Sequence, residues 1–302
     1  MYSVPYILFF FFIYLCSYIE FDSRLCIKGK TLHASGITVV MLLFFLYVGC
    51  RGLIGTDWYN YYPFYYKLPE PSSLNEVFEI RNVIKEVKSS YDFEPAFIIY
   101  SYILKLFCKD YYFWQLLNTI IDFLILYKGI CYFEKRYAIF ALLFWVLFSG
   151  LALEINILRN MKSIYIFIYS LRFIHKRQII HYYIAMIIAF LFHTSAILYF
   201  PFYFILGRTY NKKIILRFFV IGYVIYFLHI DWMAGILDSL VHILPPIRLR
   251  VLIHVYLHSS LYSGSWGLGL GFIERFVTFF IIYKYFDNKE LPSKVRICIN
   301  HI

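Results

Sequence analysis

The chain has 302 residues, 62% hydrophobic and only 16% charged, with a mean hydropathy of +0.67. Soluble domains carry about 25% charged residues, so this balance excludes a cytosolic enzyme, a secreted disulfide scaffold and a disordered chain, and points to a membrane. The net charge of +11 does not signal nucleic-acid binding, because the 29 basic residues sit in short clusters between apolar runs.

In chain order, the first run is Val4 to Ile19. No basic residue precedes its core and no small-residue cleavage site follows, so it reads as a retained span rather than a signal peptide. Ser35 to Cys50 is the second run, ending at a long loop, 51–92, that balances five basic against six acidic residues. Phe93 to Cys108 begins at Glu94-Pro95 and contains Lys105, which allows it to dip into the membrane from outside instead of crossing. Segment 137–174, with 38 residues between basic clusters, predicts a helical hairpin with its turn near Glu154 to Asn160. Segment 181–206 has only 26 residues. It is either a broken or re-entrant pair turning near His193 and Pro201 or one tilted span. Ile214 to Ile230 is a further run, followed by the loop 231–265, a last apolar run behind Glu274 and Arg275, and a short tail at 287–302.

Short cytoplasmic loops carry the excess of Lys and Arg. Arg24, Lys28 and Lys30; Lys128, Lys135 and Arg136; Arg172, Lys176 and Arg177; Arg208, Lys212, Lys213 and Arg217; and the tail with Lys284, Lys289, Lys294 and Arg296 are therefore cytoplasmic. Loops 51–92 and 231–265 fall outside. The expectation is an all-α, polytopic integral membrane protein, a single transmembrane domain over 1–302 with roughly eight to ten transmembrane or re-entrant helices. The six cysteines, at 16, 26, 50, 108, 131 and 298, have no metal-ligand spacing and imply neither zinc nor a disulfide framework. Tyrosines cluster at segment ends, where an amphipathic ring suits the headgroup level, though aromatic faces on an outer loop can also stack on sugars.

Ionisable groups at the ends of apolar segments are costly and mark function. Four places stand out: Arg51 to Asp57, a glycine-punctuated turn holding a cation and an anion; Glu94-Pro95; Glu154, Asn156, Arg159, Asn160 and Lys162 at the hairpin turn; and His193, Thr194 and Ser195. Charge-derived topology sends all four to the outer side, where arginines suit a polyanion and a carboxylate or histidine suits a proton transfer. Purely structural roles for the same residues are an interfacial snorkelling arginine, a helix N-terminus and a structural histidine. No nucleotide loop or metal-hydrolase motif is present, so neither cofactor nor metal is expected.

These ordered residues resemble the EpsG family of polysaccharide biosynthesis proteins, related in function to Wzy-type repeat-unit polymerases. The resemblance runs through Arg51-x-x-x-Gly55-Thr56-Asp57-Trp58-x-x-Tyr61, Glu94-Pro95-Ala96-Phe97, Arg159-Asn160 and Phe192-His193-Thr194-Ser195-Ala196, and more loosely over 214–286. It implies a multi-pass protein of the bacterial inner membrane that joins polyprenyl-pyrophosphate-linked oligosaccharides at the outer face, into capsule, O-antigen or exopolysaccharide. Flippase and chain-length regulator proteins are the implied partners. In the implied mechanism Arg51 and Arg159 stabilise the leaving pyrophosphate, and His193, favoured over Glu94 or Asp57, is the base. Asp57, Glu94, Asn160, Ser195 and Arg275 contact substrate. Two departures stand against the family pattern: Asn160 replaces the usual glutamine, and the short tail 287–302 stands where members usually continue through further spans, as in a short variant or a truncated product. A flippase of the same lipid-linked sugars and a membrane acyltransferase are the rivals.

Overall fold

The computed structural model describes residues 4–21, 29–55, 57–71, 84–85, 87, 93–206, 211–227 and 270–285. Loop 231–265, the tail 287–302, Thr56, Cys26, Cys298 and the basic residues Arg24, Lys28, Arg208, Lys289, Lys294 and Arg296 lie outside the described residues. Among those described, the regular elements are all helical. They are α1 (Val4–Phe21), α2 (Gly29–Phe44) with a π-helical turn at Phe45–Gly49, α3 (Trp58–Lys67), α4 (Pro95–Lys105) and α5 (Tyr111–Phe133). There follow α6 (Ala138–Trp145), a π-helical turn at Val146–Gly150, α7 (Leu151–Asn156), α8 (Leu158–His175), α9 (Ile179–Phe192), a 3-10 turn at Thr194–Tyr199 and α10 (Phe202–Ile205). The last are α11 (Lys212–Phe227) and α12 (Leu270–Tyr285). The chain divides into two compact units, Met1–Gly207 and Arg208–Ile302.

Contacts fix the helix directions in the first unit. Phe9 of α1 packs on Phe44 and Tyr47, near the far end of α2, so α1 and α2 are antiparallel. Glu20, near the end of α1, accepts from two backbone N–H groups in the first turn of α6, those of Ile139 and Phe140, at 2.8 and 2.9 Å. A carboxylate from another helix thus does the work of an N-cap. The chain breaks at Ile157, inside the predicted turn, and the Trp145 ring packs against Tyr165 at 5.8 Å, so 138–175 is a hairpin. Helices α5 and α8 run parallel: Asp122 meets Lys162, Gly129 lies under Ile168 and Tyr169, and Tyr132 meets His175. With α8 and α9 joined by three residues, the basic segments around 128–136 and 172–178 gather at one end of this unit.

That arrangement decides the course of 93–110. Helix α4 is only about 16 Å long. Its N-terminus lies beside Arg159 at the start of α8, while α5, which follows it, also starts at that end. Residues 93–110 therefore begin and end at the same end of this unit, and α4 does not carry the chain across it. Lys105 closes the excursion by donating to the carbonyls of Tyr65 and Leu68 at 2.8 and 2.5 Å, capping the end of α3. Segment 181–206 is a broken pair: the helix stops at His193, and Tyr182 donates to the carbonyl of Tyr199 at 2.5 Å as the chain folds back.

Three buried clusters hold this unit. One joins α1, α2, α5, α6 and α8 through Phe9, Phe44, Phe123, Leu142 and Met161. A second is aromatic, with Tyr61, Phe64, Tyr65, Phe97, Tyr111 and Trp114 locking α3 and α4 onto the start of α5. The third packs Tyr182, Met186 and Ala189 against Ile174 and Ala196. Outward faces are equally apolar: Ile7, Leu46, Leu147 and Ile180 are more than half exposed. A water-soluble surface does not carry so continuous an apolar covering. Among the described residues, only Tyr111–Phe133 is by itself long and apolar enough to cross a membrane, and several shorter apolar helices surround it. A π-helical turn ends the run 29–49 and another interrupts 138–156, which continues through it, and each run is about 30 Å long.

Helix α8 ends in a Schellman turn, with Gln178 N–H donating to Phe173 O at 2.8 Å and Arg177 N–H to Ile174 O at 3.1 Å. Arg177 takes the left-handed position at φ 57°. An L side chain is strained there. Arg177→Gly is expected to stabilise the folded protein by about 0.5–1 kcal/mol, read as a raised melting temperature in detergent. An unchanged or lowered melting temperature would refute the strain.

In the second unit α11 and α12 are antiparallel, with Phe219 stacked on Phe279 at 3.5 Å and Tyr223 against Phe272 at 4.9 Å. Both helices lie on an aromatic seam, as expected for two runs joined by a loop at one end.

Candidate active site

Glu94 is the hub of the polar cluster. It is the N-cap residue of α4, extended at φ −70° and ψ 148°, with Pro95 in the first helical position where its missing N–H costs nothing. One carboxylate oxygen takes the Arg159 guanidinium. The other accepts from His193 Nδ1 at 2.8 Å and from the backbone N–H of Thr194 at 3.3 Å. An ionised carboxylate can only accept, so Nδ1 carries a proton and Nε2 is the ring nitrogen left for proton exchange. His193 is brought there by the helix break: it is extended, at φ −157° and ψ 129°, between α9 and the 3-10 turn.

Arg159 sits in the first turn of α8, where a cation opposes the helix dipole and needs an anionic partner. Glu94 supplies it, and the Phe93 ring lies 4.3 Å from the guanidinium carbon. Asn160 follows and ties α8 to the turn after His193, its side-chain oxygen 2.9 Å from Ser195 Oγ and 3.2 Å from Ser163 Oγ. Asp57 approaches from a third direction. Gly52 and Gly55 adopt positive φ, 70° and 94°, and a Cβ on Gly55 would lie 2.7 Å from Asn156 Oδ1. Only glycine lets this loop lie against the α7–α8 turn. Asp57 then starts α3 and accepts from Tyr61 OH at 3.2 Å, within electrostatic range of Arg159 and His193.

Burial raises the Asp57 carboxyl above its ordinary value, against the hydrogen bond from Tyr61. For Glu94, burial again acts to raise the pKa. The His193 hydrogen bond and the Arg159 charge overcome it, so the carboxyl titrates below its ordinary value.

The structure thus brings together Asp57, Glu94, Arg159, Asn160, His193 and Ser195, from four distant segments, at the end opposite the basic segments. It does not bring Arg51 to Glu94. Arg51 is turned into the bundle, 9% exposed, donating to Val48 O at 2.9 Å and facing Glu154 and Asp122. There it belongs to a second, fully buried network. Lys162 clasps both oxygens of Asp122 at 2.8 and 2.9 Å and lies against Tyr100, while Tyr165 donates to Glu154 at 2.7 Å. Arg275 is on the second unit, lining a cavity of about 320 Å³ with Phe219, Tyr223 and Phe272.

Asp122 and Tyr100 do not stand out in the sequence. A signal existed: Gln115, Asn118, Thr119 and Asp122 recur at helical spacing and mark one polar stripe on an otherwise apolar helix. With Arg51 elsewhere, the half-buried cluster holds two carboxylates, one guanidinium and one imidazole, a balance suited to proton transfer and to holding a charged group.

Helices with apolar outer faces, closed at one end by a half-buried charged cluster, are of the class that membranes harbour. The chain belongs to the EpsG family, whose model matches residues 36–302, and is thereby a polysaccharide biosynthesis protein. The match includes the region after 206, where the motifs are sparse. No curated protein and no solved structure matches the chain.

Proposed function

We propose that this protein is a multi-pass polymerase of the bacterial inner membrane, which joins polyprenyl-pyrophosphate-linked oligosaccharide repeat units into capsule, O-antigen or exopolysaccharide at the outer face. The observation that carries this reading is the meeting of Glu94, Arg159 and His193, with Asp57 nearby, at the end opposite the basic segments. Basic segments face the cytoplasm, so the cluster faces outward, where the lipid-linked units are presented. A flippase supplies them there, and a chain-length regulator acts on the product.

The acceptor hydroxyl of one unit attacks the anomeric carbon of the other; the new glycosidic C–O bond forms as the C–O bond to pyrophosphate breaks. His193 Nε2 receives the hydroxyl proton, and Glu94 holds the ring and stabilises the imidazolium. Arg159 meets the negative charge growing on the departing pyrophosphate, and Asp57 the positive charge growing on the sugar. Asn160 and Ser195 fix the relation of Arg159 to His193. Arg51, buried, supports the bundle and leaves the phosphate to Arg159.

The test is complementation in a host whose own polymerase is deleted, with the surface polysaccharide run as a ladder. Wild type yields repeat lengths; Arg159→Ala and His193→Ala yield single capped units at normal protein level. Arg51→Ala lowers the amount of folded protein. A wild-type chain that gives only capped units, with export intact, would overturn the polymerase reading and favour a transport or accessory role.

A further inference from the structure

The exposed side of α3 differs in kind from the other outward faces. Elsewhere the exposed large residues are mainly Ile, Leu, Val and Phe, as on α1, α6 and α9. On α3 they are Tyr59, 70% exposed, and Tyr66, 48% exposed, with Trp58 and Tyr62 partly exposed beside them. At 100° per residue, Trp58, Tyr62, Tyr66 and Tyr59 fall in one stripe about 100° wide, while Tyr61, Phe64, Tyr65 and Leu68 occupy a separate, buried side centred about 120° away. Trp58 stacks on Tyr59 at 4.0 Å, and Tyr62 meets Tyr66 at 4.9 Å and Tyr111 at 5.1 Å, so the rings are braced. Every ring in this stripe has an apolar face and a polar tip.

We propose that Trp58, Tyr59, Tyr62 and Tyr66 form a saccharide-binding track that holds the growing glycan as it leaves the Glu94 cluster. A pyranose has the matching chemistry, an apolar C–H face with a rim of hydroxyls, and stacks on a tyrosine or tryptophan while its hydroxyls meet the phenol or indole tip. The track is continuous with the candidate site. It begins at Asp57, the residue before Trp58, and the buried side of the same helix holds Asp57 through Tyr61. Ten residues of helix span about 15 Å, room for about three hexose rings. A lipid-headgroup belt would use similar residues, but the site does not require it to start at a carboxylate coupled to Arg159 and His193.

The proposal rests on the polymerase reading, and its test separates the two. In the complementation host, Tyr59 and Tyr66 are replaced together by Ala, by Leu and by Phe, with membrane protein level measured for each. Leucine keeps apolar anchorage and loses the flat ring; phenylalanine keeps the ring. The expected result is a modal chain length shortened about threefold or more in the Ala and Leu variants and nearly restored by Phe, with the first addition still made. Leu variants with the wild-type ladder, or a ladder unchanged in all variants, would overturn the track and leave a membrane anchor only. If wild type makes no ladder, the polymerase reading fails on its own, and fluorescence of the full chain in nanodiscs decides the track. Malto-, cello- and chito-oligosaccharides at millimolar concentration are expected to change an emission that Trp58→Phe removes. No response to any of them, together with quenching of that emission by headgroup spin-labelled lipid, would overturn it.

Discussion

Glu94→Gln is expected to cut polymer formation by about a thousand-fold while the protein still reaches the membrane at near wild-type level. The amide keeps the size of the side chain at the start of α4 but removes the charge that holds His193 Nδ1–H and faces Arg159. It can also donate to Nδ1, turning the ring to the tautomer whose Nε2 carries the proton and cannot act as base. Glu94→Ala goes further. It removes the shared acceptor of Arg159, His193 and the Thr194 N–H, and is expected to destabilise by about 3 kcal/mol. The pH dependence has a definite sign. The folded pKa of Glu94 is depressed, so its contribution to stability is present at neutral pH, above the unfolded value of about 4.3, and is lost as pH falls through the folded value. Melting temperature against pH, below pH 5, should therefore fall less steeply in Glu94→Gln than in wild type. Parallel curves, or normal ladders from Glu94→Gln, would count against the hub.

The second large effect lies inside the bundle. Lys162→Met or Asp122→Leu alone should destabilise by about 3–5 kcal/mol, because each leaves the other charge without its partner in a site from which water is excluded. The double variant should recover most of that loss, since two apolar side chains of similar volume need no pairing. Thermal unfolding in detergent of the two single variants and the double one measures the coupling. Additive losses, with no recovery in the double variant, would mean that the two groups do not act as a pair.

Much of this arrangement was legible from charge and spacing. Basic segments around Lys128, Arg136, Arg172 and Lys176 lie at one end because helix directions alternate as the loops demand. Ile157 breaks the first hairpin where a dense group of polar residues interrupts an apolar run, and His193 breaks the second for the same reason. Arg159, Asn160, His193 and Ser195 were readable because a charge or amide between long apolar segments has few places to go. Arg51 was not. It carries the same signal as Arg159, and only the packing shows that its guanidinium turns inward to Val48 O and Glu154 rather than outward. Asp122 stayed hidden because one carboxylate in a 23-residue apolar helix does not lower its hydropathy enough to be noticed, although its stripe was visible in the spacing.

The two π-helical turns bear on why the buried charges face inward at all. Each is a wide turn that holds one residue more than the α-helix around it, and each ends in a glycine, Gly49 or Gly150. An added residue rotates everything beyond it by about 100° around the helix axis. Arg51 follows the first turn by two residues and Glu154 the second by four. Removing one residue from the second turn would leave the helix long, apolar and well formed, yet swing Glu154 off the bundle interior and out toward hydrocarbon. The insertion at Val146–Gly150 thus sets the phase of Glu154 in the polar interior, while the one at Phe45–Gly49 closes its helix just before the chain turns off at Cys50 to place Arg51.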